Sequence, residues 1–177
     1  MTYVYQGIES EFDVAAGLKA GRDVIGLPFE HQGRNAELAL DCSGLLLHMY
    51  HASGWKALAP EITYITNYNR ISSWKDILRF LNAEAYRISI ADVLPLDLLL
   101  VHFTNTPIPQ HFAMVTEVKG SIIYIIHTHH VMPEVKEHHL SSDMYERIHS
   151  VWRVKGRVVN DPLAPVSPVS PGEEGVI

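Results

Sequence analysis

The hydrophobic pattern of this 177-residue chain changes its period after about residue 90, and this change restricts the folds that the chain can adopt. Before that point, apolar residues recur mainly at helical spacing. Beyond it, short aliphatic and aromatic runs alternate with turn residues. Helices followed by a meander of antiparallel strands are typical of an α+β domain. We therefore predict N-terminal helices packed on an antiparallel sheet.

Two helices are predicted from apolar spacing together with end signals. The segment "EFDVAAGLKAGRDVIG" predicts a first helix that ends near Gly21. The segment "SSWKDILRFLNAEAYR" predicts a later helix, in which Ser73 and Asp76 fit a capping box.

Another predicted helix contains the only cysteine of the chain, within "LDCSGLLLHMY". Asp41 is a good N-cap, and Gly54 suits the position that follows a helix end. The residues between them present one apolar stripe, formed by Leu45, Leu46 and Met49. The pattern therefore predicts a helix of about three turns with Cys42 in its first turn.

Four apolar runs predict the strands of the sheet: "LDLLLVHF", "HFAMVTEV", "SIIYIIH" and "RIHSVWRVKGRVV", the last of which offers one or two strands. Lys119-Gly120 lies between the second run and the third, and this pair is a hairpin-turn signal. The first three of these strands are therefore expected to be successive and antiparallel.

The single cysteine has two open roles, packing and chemistry, because one thiol forms neither an internal disulfide nor a cysteine-rich zinc site. A free cysteine is most often a buried packing residue. In the first turn of a helix, however, backbone N–H groups and the macrodipole stabilise the thiolate. Cys42 is therefore a candidate nucleophile, provided that a base lies within hydrogen-bond reach.

Two histidines occupy positions that suit such a base and its orienting partner. His111 opens one strand of the predicted hairpin, and His127 closes the other. Because the start of one antiparallel strand lies beside the end of the next, both imidazoles are expected at the same end of the sheet. In a chain with eleven histidines, either one alone would more commonly be structural.

Composition restricts partners and location. The formal net charge of −6, without a basic block, argues against nucleic acid as a partner. No stretch reaches the roughly 18 apolar residues that cross a membrane, and the first residues lack a signal-peptide pattern. We therefore expect a protein that is made in the cytoplasm without a signal peptide and has no membrane partner.

The end of the chain differs in composition from the rest. Prolines recur every three residues between positions 162 and 171, among small and acidic residues. This pattern predicts an extended, flexible tail over residues 160–177. One folded domain is predicted over residues 1–159.

The motifs in their order resemble a known family. "LDCSGLL", "PLDLLLVHF", "QHFAMVTE" and "IIYIIHTHH" resemble the successive motifs of NlpC-type cysteine peptidases, the NlpC/P60 superfamily. The segments "GLPFEHQGR" and "VKEHHLSSDMYERI" are similar to those of members carried by phage tails and gene-transfer particles. The resemblance spans about residues 20 to 155.

The resemblance implies a papain-like α+β fold and hydrolysis of bacterial cell-wall stem peptides, typically at the bond between γ-D-glutamate and a diamino acid. It implies that Cys42 is the nucleophile, His111 the base and His127 the orienting group, with no metal or cofactor. It also implies peptidoglycan stem peptides as substrates and phage-tail or particle proteins as partners. Such a particle-associated enzyme would act in the periplasm or cell wall.

Two positions depart from the family pattern. Phe29 stands near the place of a tyrosine that reaches the active site, with His31 two residues later. Leu96 replaces the glycine before Asp97, so we expect that turn to close differently. The resemblance assigns substrate contacts to Phe29, His31, Asp41 and Ser43.

Three other interpretations stay open. The histidines of residues 127–139 suggest either a transition-metal site or an exposed loop with scattered imidazoles: His127, His129, His130, His138 and His139. The fold could serve as a structural or assembly module with a buried, inert Cys42. The same Cys-His pair could instead catalyse amide hydrolysis or acyl transfer on another substrate.

Overall fold

The computed structural model describes residues 2–5, 8–55, 72–102 and 108–155, with side chains from residue 12 and, in the helix that begins at Ser72, from residue 77. The helices are α1 (Val14–Asp23), α2 (Cys42–Ala52), α3 (Ser72–Glu84) and α4 (Ser142–Glu146), and a 3-10 turn covers Ile90–Asp92. The strands are β1 (Thr2–Tyr5), β2 (Ile8–Glu11), β3 (Arg34–Asn35), β4 (Ala39–Leu40), β5 (Ala85–Ile88), β6 (Leu98–Val101), β7 (His111–Lys119), β8 (Ile122–His129), β9 (Met132–His139) and β10 (Ile148–Val154).

Six strands form the central sheet, in the order β5-β10-β6-β7-β8-β9. Every neighbouring pair in it is antiparallel. Helix α2 packs on β7 and β8 and also contacts α1. The predicted α+β class, with the cysteine helix on an antiparallel sheet, is confirmed.

Side chains that alternate along the strands separate the core into two apolar clusters. One cluster joins the sheet to α2, with Met49 and Leu45 against Leu100, Met114 and Ile126. The second cluster includes Leu99, Val115, Ile125 and, from α4, Met144. Since successive residues of a strand point to opposite faces, the sheet is buried on both sides.

Most predicted elements are present, and two predictions are wrong. The hairpin turn at Lys119-Gly120 is confirmed, and Gly120 has the positive φ of 59° that such a turn favours. The predicted helix "SSWKDILRFLNAEAYR" ends at Glu84, and Ala85–Ile88 is a strand. Residues Met132–His139, considered above as part of an exposed loop, form an edge strand that pairs with β8.

The turn before β6 keeps the backbone form that glycine favours, although Leu96 stands there. Leu96 has φ 69° and a fully buried side chain. Its backbone N–H donates to Val115 at 2.7 Å, and its carbonyl accepts from the Tyr50 hydroxyl at 3.0 Å. Burial of the leucine offsets the strain of its backbone, and the expectation that this turn closes differently from that of the family stays a prediction.

The next residue, Asp97, forms a buried ion pair. Its carboxylate accepts from Nε of Arg153 at 2.9 Å and from Nη2 at 2.7 Å. The backbone N–H of Leu94 also donates to it, at 2.6 Å. Both charged side chains are at most 2% exposed, so this pair ties the start of β6 to β10.

Within the described residues, no helix combines the length and the apolar composition that crossing a membrane requires. The predicted proline-rich tail over residues 160–177 lies outside the described residues. The predicted limits of the folded domain stay a prediction.

The buried ion pair predicts a large stability cost when one partner is lost. We expect Arg153→Met to lower the free energy of unfolding by about 3–5 kcal/mol, because it leaves the Asp97 carboxylate buried without its cation. The measurement is urea denaturation. The matched control is Lys19→Met, which removes an exposed pair with Asp23 and should cost less than about 1 kcal/mol. A loss as small as that of the control in Arg153→Met would contradict the prediction.

Candidate active site

The start of α2 is held by the carboxylate of Asp41, the predicted N-cap. This carboxylate is buried and accepts the Gly44 backbone N–H at 2.7 Å and the Ser43 hydroxyl at 3.0 Å. It also accepts from the guanidinium of Arg34. Sequence reasoning missed Arg34, which also donates to the Ser43 hydroxyl at 3.0 Å. The predicted substrate contacts of Asp41 and Ser43 stay predictions.

The loop before the cysteine packs directly on the helix start. A Cβ on Gly44 would lie 2.1 Å from the Gly33 carbonyl oxygen, so only glycine permits this approach. The same carbonyl accepts the Asp41 backbone N–H at 3.2 Å. Earlier in the loop, the N–H of Phe29 donates to the Pro133 carbonyl at 2.8 Å. The loop therefore connects the helix start to β9.

The Cys42 thiol lies in the first turn of α2, as predicted, and is half-buried. Burial raises the pKa of the thiol to about 12, and the Asp41 carboxylate adds to the rise. Hydrogen bonds from the Phe112 and Ser43 backbones and the charge of Arg34 act in the opposite direction. The environment of Cys42 thus opposes the thiolate that its helix position favours, and the resting thiol is protonated at neutral pH.

The two predicted imidazoles meet at the same end of the sheet. Nε2 of His111, the first residue of β7, lies 2.9 Å from Nδ1 of His127 in β8. The Phe112 backbone, which hydrogen-bonds to the thiol, belongs to the residue after His111, so the start of β7 adjoins the start of α2. The predicted meeting of His111 and His127 is confirmed, and the catalytic roles of Cys42, His111 and His127 stay predictions.

Burial keeps these imidazoles uncharged. It lowers the pKa of His111 well below its usual value, with neighbouring histidines adding to the effect. It lowers the pKa of His127 to about 3 and that of His129 to about 4. At neutral pH the thiol and the imidazoles are therefore all neutral in the resting protein.

The histidine cluster continues beyond the predicted pair. Nε2 of His127 lies 2.7 Å from Nε2 of His138, whose Nδ1 lies 2.8 Å from the backbone oxygen of His139. The ring of His129 lies 5.1 Å from that of His111, centroid to centroid. Among the described residues, no three His, Cys, Asp or Glu side chains are arranged to hold a metal ion.

The other predicted substrate residues lie around this cluster or at its edge. The Phe29 ring is partly exposed and lies 6.4 Å from the His129 ring, which places it beside the imidazoles. His31 is exposed in the turn that follows. Their roles as substrate contacts stay predictions.

Comparisons with solved structures identify the fold. The chain resembles an NLP/P60 family protein from Staphylococcus aureus, with a TM-score of 0.56, 19% identity and coverage of 80% of this chain and 41% of that one. An NlpC/P60 family protein from Bacillus cereus gives a TM-score of 0.55, 16% identity and coverage of 79% and 39%. NlpC1 from Trichomonas vaginalis gives a TM-score of 0.51, 16% identity and coverage of 86% and 54%.

These likenesses, all at low identity, show that the chain has the NlpC/P60 fold. The chain spans about two fifths of the length of the two bacterial structures. No family model matches the sequence, and no curated protein matches it.

The raised thiol pKa predicts how Cys42 reacts in a variant that lacks the His111 imidazole. In His111→Leu, which keeps the site filled, we expect iodoacetamide to alkylate the native thiol more than about 100-fold more slowly than the unfolded chain at pH 8, because an unfolded thiol has a pKa near 8.5. The rate should rise about tenfold per pH unit up to pH 11. Equal rates in the native and unfolded variant at pH 8 would show that burial does not hold the proton on Cys42.

The lowered imidazole pKa values predict loss of stability in acid. Histidines of the unfolded chain take up protons near pH 6.5, whereas folded His111, His127 and His129 do not, so stability is full above that pH and falls as the pH drops. We expect the free energy of unfolding to decrease from pH 7 to pH 5. Urea denaturation of His127→Asn should show a smaller decrease, whereas the exposed control His51→Gln should match the unaltered protein. An unchanged slope in His127→Asn would contradict the assignment.

Proposed function

We propose that this chain, which has the NlpC/P60 fold, is a cysteine peptidase that hydrolyses peptidoglycan stem peptides at the bond between γ-D-glutamate and a diamino acid. One observation carries the proposal: the backbone of Phe112, the residue after His111, hydrogen-bonds to the thiol in the first turn of α2, and Nε2 of His111 lies 2.9 Å from Nδ1 of the buried His127. A nucleophile, a base and an orienting group are the parts that acyl transfer needs. The substrate class comes from the motif resemblance described above.

The neutral resting state determines the order of the proposed steps. His111 takes the proton of Cys42 as the sulfur attacks the carbonyl carbon, so thiolate and imidazolium form together rather than existing beforehand. Backbone N–H groups at the start of α2 stabilise the oxyanion. The proton on His111 then goes to the leaving amine, and water releases the acyl group from Cys42.

His127 supports this chemistry by accepting from His111. A hydrogen bond between the two rings fixes the orientation of His111 and stabilises the imidazolium that forms on it. Because His127 is itself buried and neutral, it acts through its lone pair rather than through a full charge.

A second function is favoured by one observation. The pKa of Cys42 is raised to about 12 by burial, and a protonated thiol is what an inert structural or assembly module would contain. In that case the fold would serve in a phage tail or similar particle, as suggested by the segments that resemble phage-tail members. An amidase or acyltransferase with the same residues would act on another substrate.

The proposed roles predict a ranked loss of activity. We expect Cys42→Ala to lower the rate of stem-peptide cleavage by at least about 10⁴-fold, because the nucleophile is gone, and His111→Ala to be nearly as severe. His127→Ala should be milder by roughly 10-fold to 100-fold, because an orienting group matters less than the nucleophile. Mass spectrometry of purified stem peptides and cell-wall sacculi measures the products.

The exposed variant His51→Ala serves as the control and should keep full activity. Unfolding curves establish that each variant is folded. Substantial cleavage by folded Cys42→Ala would exclude the mechanism. Absence of cleavage by the unaltered protein on every stem peptide would favour the assembly module.

A further inference from the structure

We propose that His138 is a positioning residue that fixes the tautomers of His127 and His111, so that Nδ1 of His111 carries no proton and receives the one from the thiol. This inference rests on the proposed function and adds a member to its machinery. It starts from His138, which is two hydrogen bonds away from His111 within the histidine cluster. We refer to His111, His127 and His138 as the imidazole chain.

A backbone carbonyl determines which nitrogen of His138 carries the proton. Nδ1 of His138 lies 2.8 Å from the carbonyl oxygen of His139. A carbonyl oxygen only accepts, so Nδ1 of His138 must carry the proton and donate. In a neutral imidazole only one nitrogen carries a proton, and Nε2 of His138 is therefore an acceptor.

The rule of one donor nitrogen and one acceptor nitrogen also fixes the other two rings of the imidazole chain. Nε2 of His127 lies 2.7 Å from Nε2 of His138, and only a proton on the His127 nitrogen makes this contact a hydrogen bond. Nδ1 of His127 is then the acceptor for Nε2–H of His111, at 2.9 Å. His111 has its single proton on Nε2, so Nδ1 holds a lone pair.

Hydrogen bonds that run in the opposite direction, with His127 donating to His111, require an additional proton on His138. If His127 donated towards His111, Nε2 of His138 would have to donate to His127 while Nδ1 still donated to the carbonyl. His138 would then be an imidazolium 2.7 Å from His127, whose pKa is lowered by burial and by the charge of His138. When all three imidazoles are neutral, the hydrogen bonds can therefore run only from His111 as donor, through His127, to His138 as acceptor.

Strand pairing explains why His138 reaches His127. In the register of β8 and β9, Ile125 is opposite His138 and His127 is opposite Lys136. His138 is therefore the diagonal neighbour of His127, at a spacing that long and ring side chains bridge. The backbone carbonyl of His139 belongs to the same strand, so β9 supplies both the ring and its acceptor.

The surroundings of His138 leave room for substitution. Its side chain is half-buried and lines a cavity of about 330 Å³ together with Val131, Met144 and Arg147. A glutamine at position 138 has an oxygen that accepts from His127 and an amide that donates to the His139 carbonyl. His138→Gln therefore keeps the donor direction of the hydrogen bonds in the imidazole chain, whereas His138→Leu removes both hydrogen bonds of position 138.

The deciding measurement is ¹⁵N NMR of histidine-labelled protein at pH 8, where ordinary imidazoles are neutral. In the unaltered protein and in His138→Gln we expect Nδ1 of His111 to show the shift of an unprotonated nitrogen and Nε2 that of a protonated one. In His138→Leu we expect a mixture of the two tautomers. The control His130→Leu changes an exposed neighbouring histidine and should leave the tautomers of the chain unchanged.

Two NMR results would overturn the proposal. One is a protonated Nδ1 on His111 in the unaltered protein, and the other is an unchanged His111 tautomer in folded His138→Leu. Neither result depends on enzymatic activity, so a protein that cleaves no stem peptide would disprove the proposed function while the tautomer result still stands.

Activity provides the second measurement. We expect His138→Leu to lower the rate of stem-peptide cleavage by about 10-fold to 100-fold, as is usual for residues that orient a reacting group. His138→Gln should restore most of that loss. Equal losses in the two variants would overturn the positioning role, because both remove the ring but only one removes the hydrogen bonds.

Discussion

The buried pair of Asp97 and Arg153 is the contact on which the position of the site depends. It joins the start of β6 to β10, and these strands lie side by side in the middle of the sheet. Strand β7 pairs with β6, and its first residue is His111. A shift of β6 by one residue would turn its own side chains to the opposite faces and would change the register in which Val101 is opposite His111. The ion pair therefore contributes to the register that places His111, as well as to stability.

The same burial that orders the site determines its charge state. Removing water raises the pKa of the Cys42 thiol and lowers that of the His111 imidazole. An ion pair between them would have to overcome both shifts before a substrate arrives. A neutral pair avoids that cost and transfers its proton only as negative charge moves onto the substrate carbonyl. Within the proposed mechanism, the protein therefore depends on geometry rather than on a preformed thiolate.

Features with a local cause could be predicted from the sequence, and features with a distant cause could not. The cap at Asp41 and the turn at Lys119-Gly120 follow from the residues themselves, as did the meeting of His111 with His127 across a hairpin. Strand β9 was missed because only Val135 in it is buried, so no apolar run marks it. Arg34 was missed because its partner Asp41 is brought near by the close packing of the loop on the helix start.

The histidines of residues 127–139 show why composition alone cannot distinguish a metal site from a hydrogen-bonded chain. Both need imidazoles within a few ångströms of one another, and strand spacing supplies that in either case. The difference lies in the lone pairs. In the imidazole chain, the lone pair of each acceptor nitrogen in His127 and His138 already receives a proton from its neighbour, at 2.9 and 2.7 Å. A metal ion needs those same lone pairs. With the tautomers proposed above, the carbonyl of His139 fixes which nitrogens donate and so leaves the remaining lone pair on Nδ1 of His111.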